Sequence, residues 1–423
     1  MPQQGLATRQ TAHALLQKIT QEGRLMSELA SAAELVRLPA EDRARAQRLV
    51  LETLRGLDRA DRMLKPHLKK PPAAFVMNAL RLGTREICGG EAAHGVVNAY
   101  VEIVARNKRT QGMKGLVNAV LRKIAAEGPA GWDKRAVPQL PGWLRQPLTA
   151  AWGRKTITAI EQAHFAGAPL DLTVKGDATK VAQAVGGQVL PSGSVRVANA
   201  GQVSRMSGFE TGDWWVQDAA AALPVRLLGD VRGLRVLDLC AAPGGKTLQL
   251  AANGATVTAV DISERRLQRV AENLQRTGLS AELVSADALT YEESGFDVVL
   301  LDAPCSATGT IRRHPDLPYA KDGSEFGALI DLQAQLIDHA LTLLRPGGRL
   351  LFCTCSLLPD EGEVQIEEAR TRHPTLAVET ADALCAGVDP AWLTDEGGLR
   401  LRPDYWPDLG GMDGFYMALL RKP

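Results

Sequence analysis

The sequence predicts a multidomain protein, with an all-α bundle followed by a small mixed α/β connector and a doubly wound α/β domain. Three observations predict this organisation. The chain has 423 residues, more than one ordinary domain needs. Apolar residues recur at helical spacing in the first part of the chain, and apolar strands alternate with helices from Trp215 onward. We therefore place the bundle at residues 1–130, the connector at 131–215 and the α/β domain at 216–423.

The bundle is predicted from two amphipathic segments. Apolar residues recur every three or four positions at Ala12, Leu15, Leu16 and Ile19, and again at Leu116, Val117, Val120, Leu121 and Ile124. Pro71 and Pro72 interrupt this pattern and predict a break between helices. Helices of this kind are expected to pack their apolar faces together in a bundle.

Short strands are predicted in the connector at 170–174 and 194–197, between scattered prolines. In the last domain, continuous apolar strands that alternate with helices are typical of a parallel sheet with helices on both faces. We predict these strands at 234–239, 256–261, 297–302 and 349–354, the last one after a helix over 329–344 and a tight turn at 345–348.

Composition excludes several classes of protein. Hydrophobic residues make up 45% of the chain and charged residues 23%, which is ordinary globular usage and argues against disorder. No run approaches the length of a membrane span, and the N-terminus lacks the basic and apolar segments of a signal peptide. The 6 scattered cysteines are too few for a disulfide framework, so we expect reduced thiols and a cytoplasmic protein.

The net charge of +1 hides an uneven distribution. Residues 1–135 contain 23 Lys and Arg against 13 Asp and Glu, whereas residues 136–423 contain 26 against 35. A basic N-terminal part predicts contact with a polyanion such as a nucleic acid. Solvated helix faces give the same balance, so charge alone leaves both interpretations open.

A loop with two glycines follows the first strand of the α/β domain. Its residues are Cys240, Ala241, Ala242, Pro243, Gly244, Gly245 and Lys246. Glycines let the backbone approach a ligand closely, and the N-terminus of the helix that follows favours negative charge. The loop has neither the G-x-G-x-x-G spacing of a dinucleotide site nor the longer loop that cradles a polyphosphate.

Aspartates stand at or just after the ends of the next three strands, at Asp261, Asp287 and Asp302. Ligands of open α/β sheets bind at the carboxyl ends of the strands. There, Asp261 is expected to accept the hydroxyls of a ribose and Asp287 to reach an adenine edge. One such aspartate is more often a cap or turn residue, but the whole set favours a site. An adenosine site without a polyphosphate cradle predicts S-adenosylmethionine as the cofactor.

Two cysteines, Cys305 and Cys355, follow strands that end at the same edge. Zinc is not predicted, because Cys353 and Cys355 are too close in sequence and no histidine pair follows. Cys353, inside a strand, is instead expected to be a small buried hydrophobe. A thiol beside a methyl donor has a clear use, since its addition to carbon-6 of cytosine makes carbon-5 nucleophilic. Asp302 is expected to hydrogen-bond the pyrimidine during that addition.

The chain from Gln217 to Leu358 resembles the NOL/NOP/Sun family of RNA 5-methylcytosine methyltransferases. The matching segments are QDAA at 217–220, DLCAAPGGKT at 238–247, DAPCSATG at 302–309 and TCS at 354–356. The N-terminal part resembles the NusB-like RNA-binding fold, at 80–87, 97–102 and 114–122. Together these resemblances imply a NusB-like domain, a Rossmann-like class I methyltransferase domain, and 16S ribosomal RNA as the partner.

The resemblance also implies roles for single residues. Cys355 matches the attacking thiol of the family, and Cys305 matches the second cysteine, which is needed to release the methylated product. This assignment rests on the family and not on the spacing of the two cysteines. The loop at 240–246 matches the contacts to the methyl donor, together with Asp261, Asp287 and Asp302.

A basic segment follows the loop that carries Cys305, at Arg312, Arg313 and His314. We expect these residues to contact phosphates beside the target nucleotide. A solvated basic loop is the alternative. Two rival functions remain open, namely the same chemistry on transfer RNA or 23S ribosomal RNA, and an inactive RNA-binding assembly factor. Nothing in the sequence indicates a coiled coil, a metal site or an obligate dimer, so we expect a monomer.

Overall fold

The structure, a computed structural model, describes residues 2–198, 200–380 and 387–423. The described residues divide into two compact units, one within Met1–Gly167 and Ile311–Asp322, the other within Ala168–Thr310 and Gly323–Pro423. The predicted connector is therefore not a unit of its own. Its long helix belongs to the helical unit, and its strands belong to the α/β unit.

The helices of both units are numbered in chain order. They are α1 (Pro2–Glu22), α2 (Ala33–Val36), α3 (Ala40–Arg55), α4 (Leu57–Leu64), α5 (Ala74–Cys88), α6 (Ala93–Arg106), α7 (Lys114–Asp133), α8 (Gly142–Ala166), α9 (Ala178–Val185), α10 (Ala219–Leu227), α11 (Gly245–Ala252), α12 (Glu264–Thr277), α13 (Leu317–Ala320), α14 (Phe326–Leu343) and α15 (Glu363–Arg372).

The strands are numbered in the same way. They are β1 (Leu170–Val174), β2 (Gln188–Val189), β3 (Val195–Val197), β4 (Trp214–Val216), β5 (Arg235–Leu239), β6 (Thr256–Asp261), β7 (Glu282–Ser285), β8 (Phe296–Asp302), β9 (Leu344–Thr354), β10 (Ala377–Glu379), β11 (Leu399–Leu401) and β12 (Phe415–Arg421).

The helical unit is built from the predicted amphipathic faces. Ala12, Leu16 and Ile19 of α1 are completely buried in its core, as their spacing predicts. The two prolines at 71–72 fall between α4 and α5, where the sequence predicts a break. The predicted boundary at residue 130 falls inside α7, whose backbone leaves helical geometry at Gly128 before it continues to Asp133.

The α/β unit contains two sheets. The small one has the strand order β2-β3-β1-β4 and is antiparallel. The large one has the order β10-β12-β9-β8-β5-β6-β7, with β11 beside β12. Its strands β9, β8, β5, β6 and β7 are parallel, so their carboxyl ends share one edge. That edge carries the candidate site.

Two features of the large sheet differ from the prediction. The sheet is mixed, because β10, β11 and β12 run antiparallel to their neighbours. The predicted turn at 345–348 lies within β9, as an irregularity at which the pairing with β8 jumps from Phe296–Leu344 to Val298–Arg349. An antiparallel strand needs no helical crossover, so the alternation of strands and helices does not predict it.

Within the described residues, no helix combines the length and the apolar character that a membrane crossing requires.

Candidate active site

The glycine-containing loop at 240–246 joins β5 to α11 through two left-handed backbone positions. Cys240 has φ 62° and Gly244 has φ 99°. A Cβ at Gly244 would lie 2.9 Å from Cγ1 of Val270, so both the conformation and the space favour glycine there. The result is a tight turn that brings the N-terminus of α11 to the carboxyl edge of the sheet.

Buried hydrogen bonds fix this loop to the sheet below it. Asp238 in β5 is completely buried, and its carboxylate accepts a hydrogen bond from Oγ1 of Thr247 at 2.6 Å. Burial raises the pKa of Asp238 to about 7, although the bond from Thr247 acts in the opposite direction. The first turn of α11 is thereby anchored to β5.

Asp261 ends β6 and is 2% exposed. Its two carboxylate oxygens accept hydrogen bonds from the backbone N–H of Ala242 at 3.1 Å and of Ser263 at 3.0 Å. An ionised carboxylate has about four acceptor positions, so Asp261 keeps capacity for a ligand hydroxyl. The next residue, Ile262, is 71% exposed and presents an apolar surface at the strand end, a feature that the sequence reasoning missed.

Asp287 lies two residues beyond β7 and is exposed. Its carboxylate accepts a hydrogen bond from the backbone N–H of Leu289 at 2.9 Å. Asp287 thus has the role of a turn residue, which is the alternative to ligand binding given in the sequence analysis. The exposed carboxylate is nevertheless free of any ion pair within the described residues.

Asp302 ends β8 and forms an ion pair with Lys246, with Nζ 2.6 Å from Oδ2. The Lys246 side chain is 8% exposed and that of Asp302 is 33% exposed. Burial alone would lower the pKa of Lys246, but the attraction of Asp302 outweighs it and the pKa lies above its ordinary value. The pair joins the loop to β8 and leaves part of the Asp302 carboxylate open to a ligand.

The two predicted site cysteines come together at the same edge. The Sγ atoms of Cys305 and Cys355 lie 3.5 Å apart, and both side chains are half-buried. The hydrogen bond to Cys355, together with burial, holds the pKa of Cys305 well above its ordinary value. Cys305 therefore keeps its proton, and either of the two thiols can donate the hydrogen bond between the sulfurs.

The other two cysteines of this region differ from this pair. Cys353 is completely buried in β9, as predicted for a small hydrophobe. Burial and the nearby carboxylates of Asp302 and Asp261 raise the pKa of Cys240 to about 12. A thiol of that pKa stays protonated at neutral pH, which disfavours Cys240 as a nucleophile. No group of His, Cys, Asp and Glu in the described ranges is arranged to hold a metal ion.

A close backbone contact supports the segment that carries Cys355. The N–H of Gly309 donates to the carbonyl oxygen of Cys355 at 2.9 Å, and the N–H of Gly414 donates to the carbonyl oxygen of Gly309 at 2.8 Å. A Cβ at Gly309 would lie 2.0 Å from the carbonyl oxygen of Gly414. Only glycine allows this approach.

The structure does not agree with the expected phosphate contact of Arg312. Residues 311–322 belong to the helical unit, and Arg312 is completely buried, with its carbonyl oxygen accepting a hydrogen bond from Nη2 of Arg55 at 3.0 Å. A buried guanidinium has no access to a phosphate, so this prediction is wrong for Arg312 in this conformation. Arg313 and His314 are exposed, which is compatible with either of the two interpretations of this loop.

Two protein families match this chain, and their matches follow the order of the helical and α/β parts along the sequence. Residues 225–421 match the family described as 16S rRNA methyltransferase RsmB/F, and residues 6–126 match the NusB family. Among curated proteins, the ribosomal RNA small subunit methyltransferase B of Xanthomonas campestris pv. campestris is 36% identical and covers 99% of this chain and 98% of its own length.

Solved structures share the architecture. The crystal structure of PH0851 superposes with a TM-score of 0.77 and 22% identity, and the match covers 100% of this chain and 99% of that one. A methyltransferase homolog protein from Pyrococcus horikoshii matches with a TM-score of 0.55 and 25% identity over 66% of this chain and 94% of its own.

Proposed function

Because the chain belongs to the family of ribosomal RNA small subunit methyltransferase B, we propose that it methylates carbon-5 of a cytidine in 16S ribosomal RNA, with S-adenosylmethionine as the methyl donor. The reaction passes through a covalent bond between Cys355 and the cytosine ring. The observation that carries this proposal is the pair of thiols 3.5 Å apart, at the sheet edge that also holds the glycine loop and Asp302.

The cofactor site is assigned to residues 240–246, Asp261, Asp287 and Asp302. Their chemistry fits the donor molecule: Asp261 retains acceptor capacity for ribose hydroxyls, and exposed Ile262 beside it offers an apolar surface for a planar base. The loop is too short to cradle a polyphosphate, which suits S-adenosylmethionine because this molecule carries no phosphate group. When bound, S-adenosylmethionine supplies an electrophilic methyl group on its sulfonium sulfur.

The chain itself supplies the covalent help that cytosine needs. The thiolate of Cys355 bonds to carbon-6, and the electron pair of the 5,6 double bond makes carbon-5 the nucleophile that takes the methyl group. Asp302 hydrogen-bonds the pyrimidine edge and stabilises charge while the adduct forms. A base then removes the carbon-5 proton, the bond from carbon-6 to sulfur breaks, and the double bond is restored.

Cys305 is assigned to the second half of the reaction, the release of the methylated base. In the resting site its sulfur lies 3.5 Å from that of Cys355, and its pKa is held well above the ordinary value, so the thiol of Cys305 stays protonated. The proposal therefore gives the two neighbouring thiols different roles: Cys355 attacks carbon-6, and Cys305 keeps its proton until the adduct has formed.

The substrate class follows from the family and from the charge of the N-terminal part. The Xanthomonas relative is by its name a small-subunit ribosomal RNA methyltransferase. The excess of Lys and Arg over Asp and Glu in residues 1–135 suits the phosphate backbone of RNA. Extraction of the target base from the RNA costs least where that base is unpaired.

The test is a methylation assay with unmodified 16S, 23S and transfer RNA, labelled S-adenosylmethionine, and mapping of the modified nucleotide. We expect 5-methylcytidine in 16S RNA from the wild-type protein and none from Cys355→Ala. Product in another RNA would overturn the substrate assignment. An absence of product together with retained RNA binding would favour an inactive assembly factor, and full turnover by Cys355→Ala would overturn the mechanism.

A further inference from the structure

A buried glutamate, Glu361, lies just after the segment that carries Cys355. It occupies a short turn between β9 and α15 and is completely buried. It takes part in no ion pair among the residues that the structure describes. A buried carboxylate is costly unless hydrogen bonds satisfy it, so the donors around Glu361 indicate what it holds.

The carboxylate of Glu361 holds the segment that carries Cys305. Oε1 accepts a hydrogen bond from the backbone N–H of Ser306 at 2.8 Å, and Oε2 accepts one from Oγ of Ser306 at 2.5 Å. Nε2 of Gln333, in α14, donates to Oε1 at 3.1 Å and to the carbonyl oxygen of Pro304 at 2.8 Å. Both neighbours of Cys305 in sequence are therefore tied to Glu361, one directly and one through Gln333.

The same residue holds the segment that carries Cys355. The carbonyl oxygen of Glu361 accepts a hydrogen bond from Oγ1 of Thr354 at 2.7 Å. On the other side of Cys355, Oγ of Ser356 lies 3.2 Å from Oγ of Ser306, the hydroxyl that donates to Glu361. Both neighbours of Cys355 are thus tied to the residue that fixes Cys305.

We propose that Glu361 is a positioning residue that sets the separation of the two thiols. We call this arrangement the glutamate clasp; its members are Pro304, Ser306, Gln333, Thr354, Ser356 and Glu361. The clasp joins two segments that are distant in sequence, and its bonds end on the residues that flank each cysteine. For its consequence in catalysis, this inference rests on the proposed function of those cysteines.

Burial makes the clasp a precise support. Ser306 is 1% exposed, and Gln333, Thr354, Ser356 and Glu361 are 0% exposed, so water does not compete for these hydrogen bonds. Loss of the carboxylate frees the N–H and the hydroxyl of Ser306 together. A misplacement of a reacting group by about 1 Å costs roughly 100-fold in rate, so a loosened clasp should lower kcat strongly.

The experiment compares two substitutions of Glu361 with a matched control. Glu361→Gln keeps the shape and one side-chain oxygen acceptor, with the amide NH2 facing the hydroxyl of Ser306. Glu361→Leu removes both side-chain acceptors and keeps only the backbone carbonyl that accepts from Thr354. Glu86→Leu is the control, because Glu86 in the helical unit is also a buried carboxylate (6% exposed) and accepts hydrogen bonds from Arg9 and Tyr100, away from both cysteines.

The main readout does not depend on methyl transfer. The full-length protein is treated with diamide, and the rate at which the Cys305–Cys355 disulfide forms is followed by mass spectrometry of its peptides. We expect Glu361→Leu to slow this crosslink by about tenfold or more, and Glu361→Gln and Glu86→Leu to stay within about threefold of wild type. A crosslinking rate in Glu361→Leu equal to that of the wild type would overturn the proposal.

Methylation kinetics give the second readout. Glu361→Leu is expected to lower kcat by roughly 100-fold with little change in KM, because the clasp positions thiols rather than binding RNA. Should Glu361→Leu fail to fold, Ser306→Ala removes one hydroxyl of the clasp and should slow the crosslink by about fivefold or more; a rate within the range of the controls would overturn the proposal. If the wild-type protein methylates no cytidine, the proposed function fails, while the crosslinking rates still decide the role of Glu361.

Discussion

A single methyl group added at Gly309 tests how closely the backbone around Cys355 is packed. In Gly309→Ala the new Cβ would lie 2.0 Å from the carbonyl oxygen of Gly414 and 2.8 Å from that of Cys355. Ordinary contact begins at 3.4 Å, so these backbones have to separate. We expect a displacement of roughly 1 Å or more in the segment that carries Cys355.

The magnitude follows from the contacts that are lost. The hydrogen bonds from Gly309 to Cys355 and from Gly414 to Gly309, which measure 2.9 and 2.8 Å in the wild-type protein, would both be stretched in Gly309→Ala. Overpacking costs about 1–3 kcal/mol, and one lost hydrogen bond costs about 1 kcal/mol more. The free energy of unfolding should therefore fall by about 2–4 kcal/mol, and kcat for methyl transfer should fall by roughly 100-fold.

The assay combines urea denaturation with single-turnover methylation at saturating S-adenosylmethionine. The control is Gly327→Ala in the first turn of α14, where a Cβ meets nothing within 4 Å and φ is not positive. This control should be neutral or stabilising by less than about 1 kcal/mol. Wild-type stability and wild-type kcat in Gly309→Ala would show that the backbone around Cys355 accommodates the methyl group, contrary to this expectation.

Three further outcomes are expected. Lys246→Met removes the cation beside Asp302. Because that carboxylate is one-third exposed and water solvates it in part, the free energy of unfolding in urea denaturation should fall by only about 1–3 kcal/mol. An unchanged value would contradict the role of the ion pair. Cys355→Ala removes the largest cause of the raised pKa of Cys305, so the pKa of Cys305 should fall. Iodoacetamide should then alkylate Cys305 faster at mildly alkaline pH, as measured by peptide mass spectrometry. A slower or equal rate would count against the hydrogen bond between the two thiols. Asp261→Ala frees the backbone N–H of Ala242 in the loop and that of Ser263 after β6. Calorimetry should then show S-adenosylmethionine binding weakened by about tenfold or more, whereas wild-type affinity would argue against this cofactor site.

The parallel strands at the centre of the large sheet could be predicted from the sequence. Strand β6 has the predicted bounds, and β5 and β8 differ little from them, because continuous apolar runs bounded by loops are a local signal. Strand β12 was missed, although Phe415–Arg421 is an apolar run, since its pairing with β9 is a contact distant in sequence. The sequence Pro-Gly-Gly is typical of a turn and predicts one at 345–348, whereas the structure has an irregularity within β9 there.

The sequence also predicts one part of the candidate site and not another. Strand direction alone brings the ends of β5, β6, β8 and β9 to one edge, so the neighbourhood of the glycine loop, the aspartates and the two cysteines follows from topology. Side-chain partners do not follow from it. The burial of Arg312 depends on where residues 311–322 pack, and the bonds of Glu361 depend on the direction of its side chain within a turn.

The identity of the cysteine that bonds to RNA decides whether methyl transfer proceeds through Cys355. Cys305→Ala is incubated with 16S RNA and S-adenosylmethionine, the complex is denatured, and the peptide that remains attached to RNA is sequenced by mass spectrometry. We expect a denaturant-resistant adduct on Cys355 that is absent from the Cys305→Ala, Cys355→Ala double variant. An adduct on another cysteine, or steady turnover by Cys305→Ala without any adduct, would contradict this expectation.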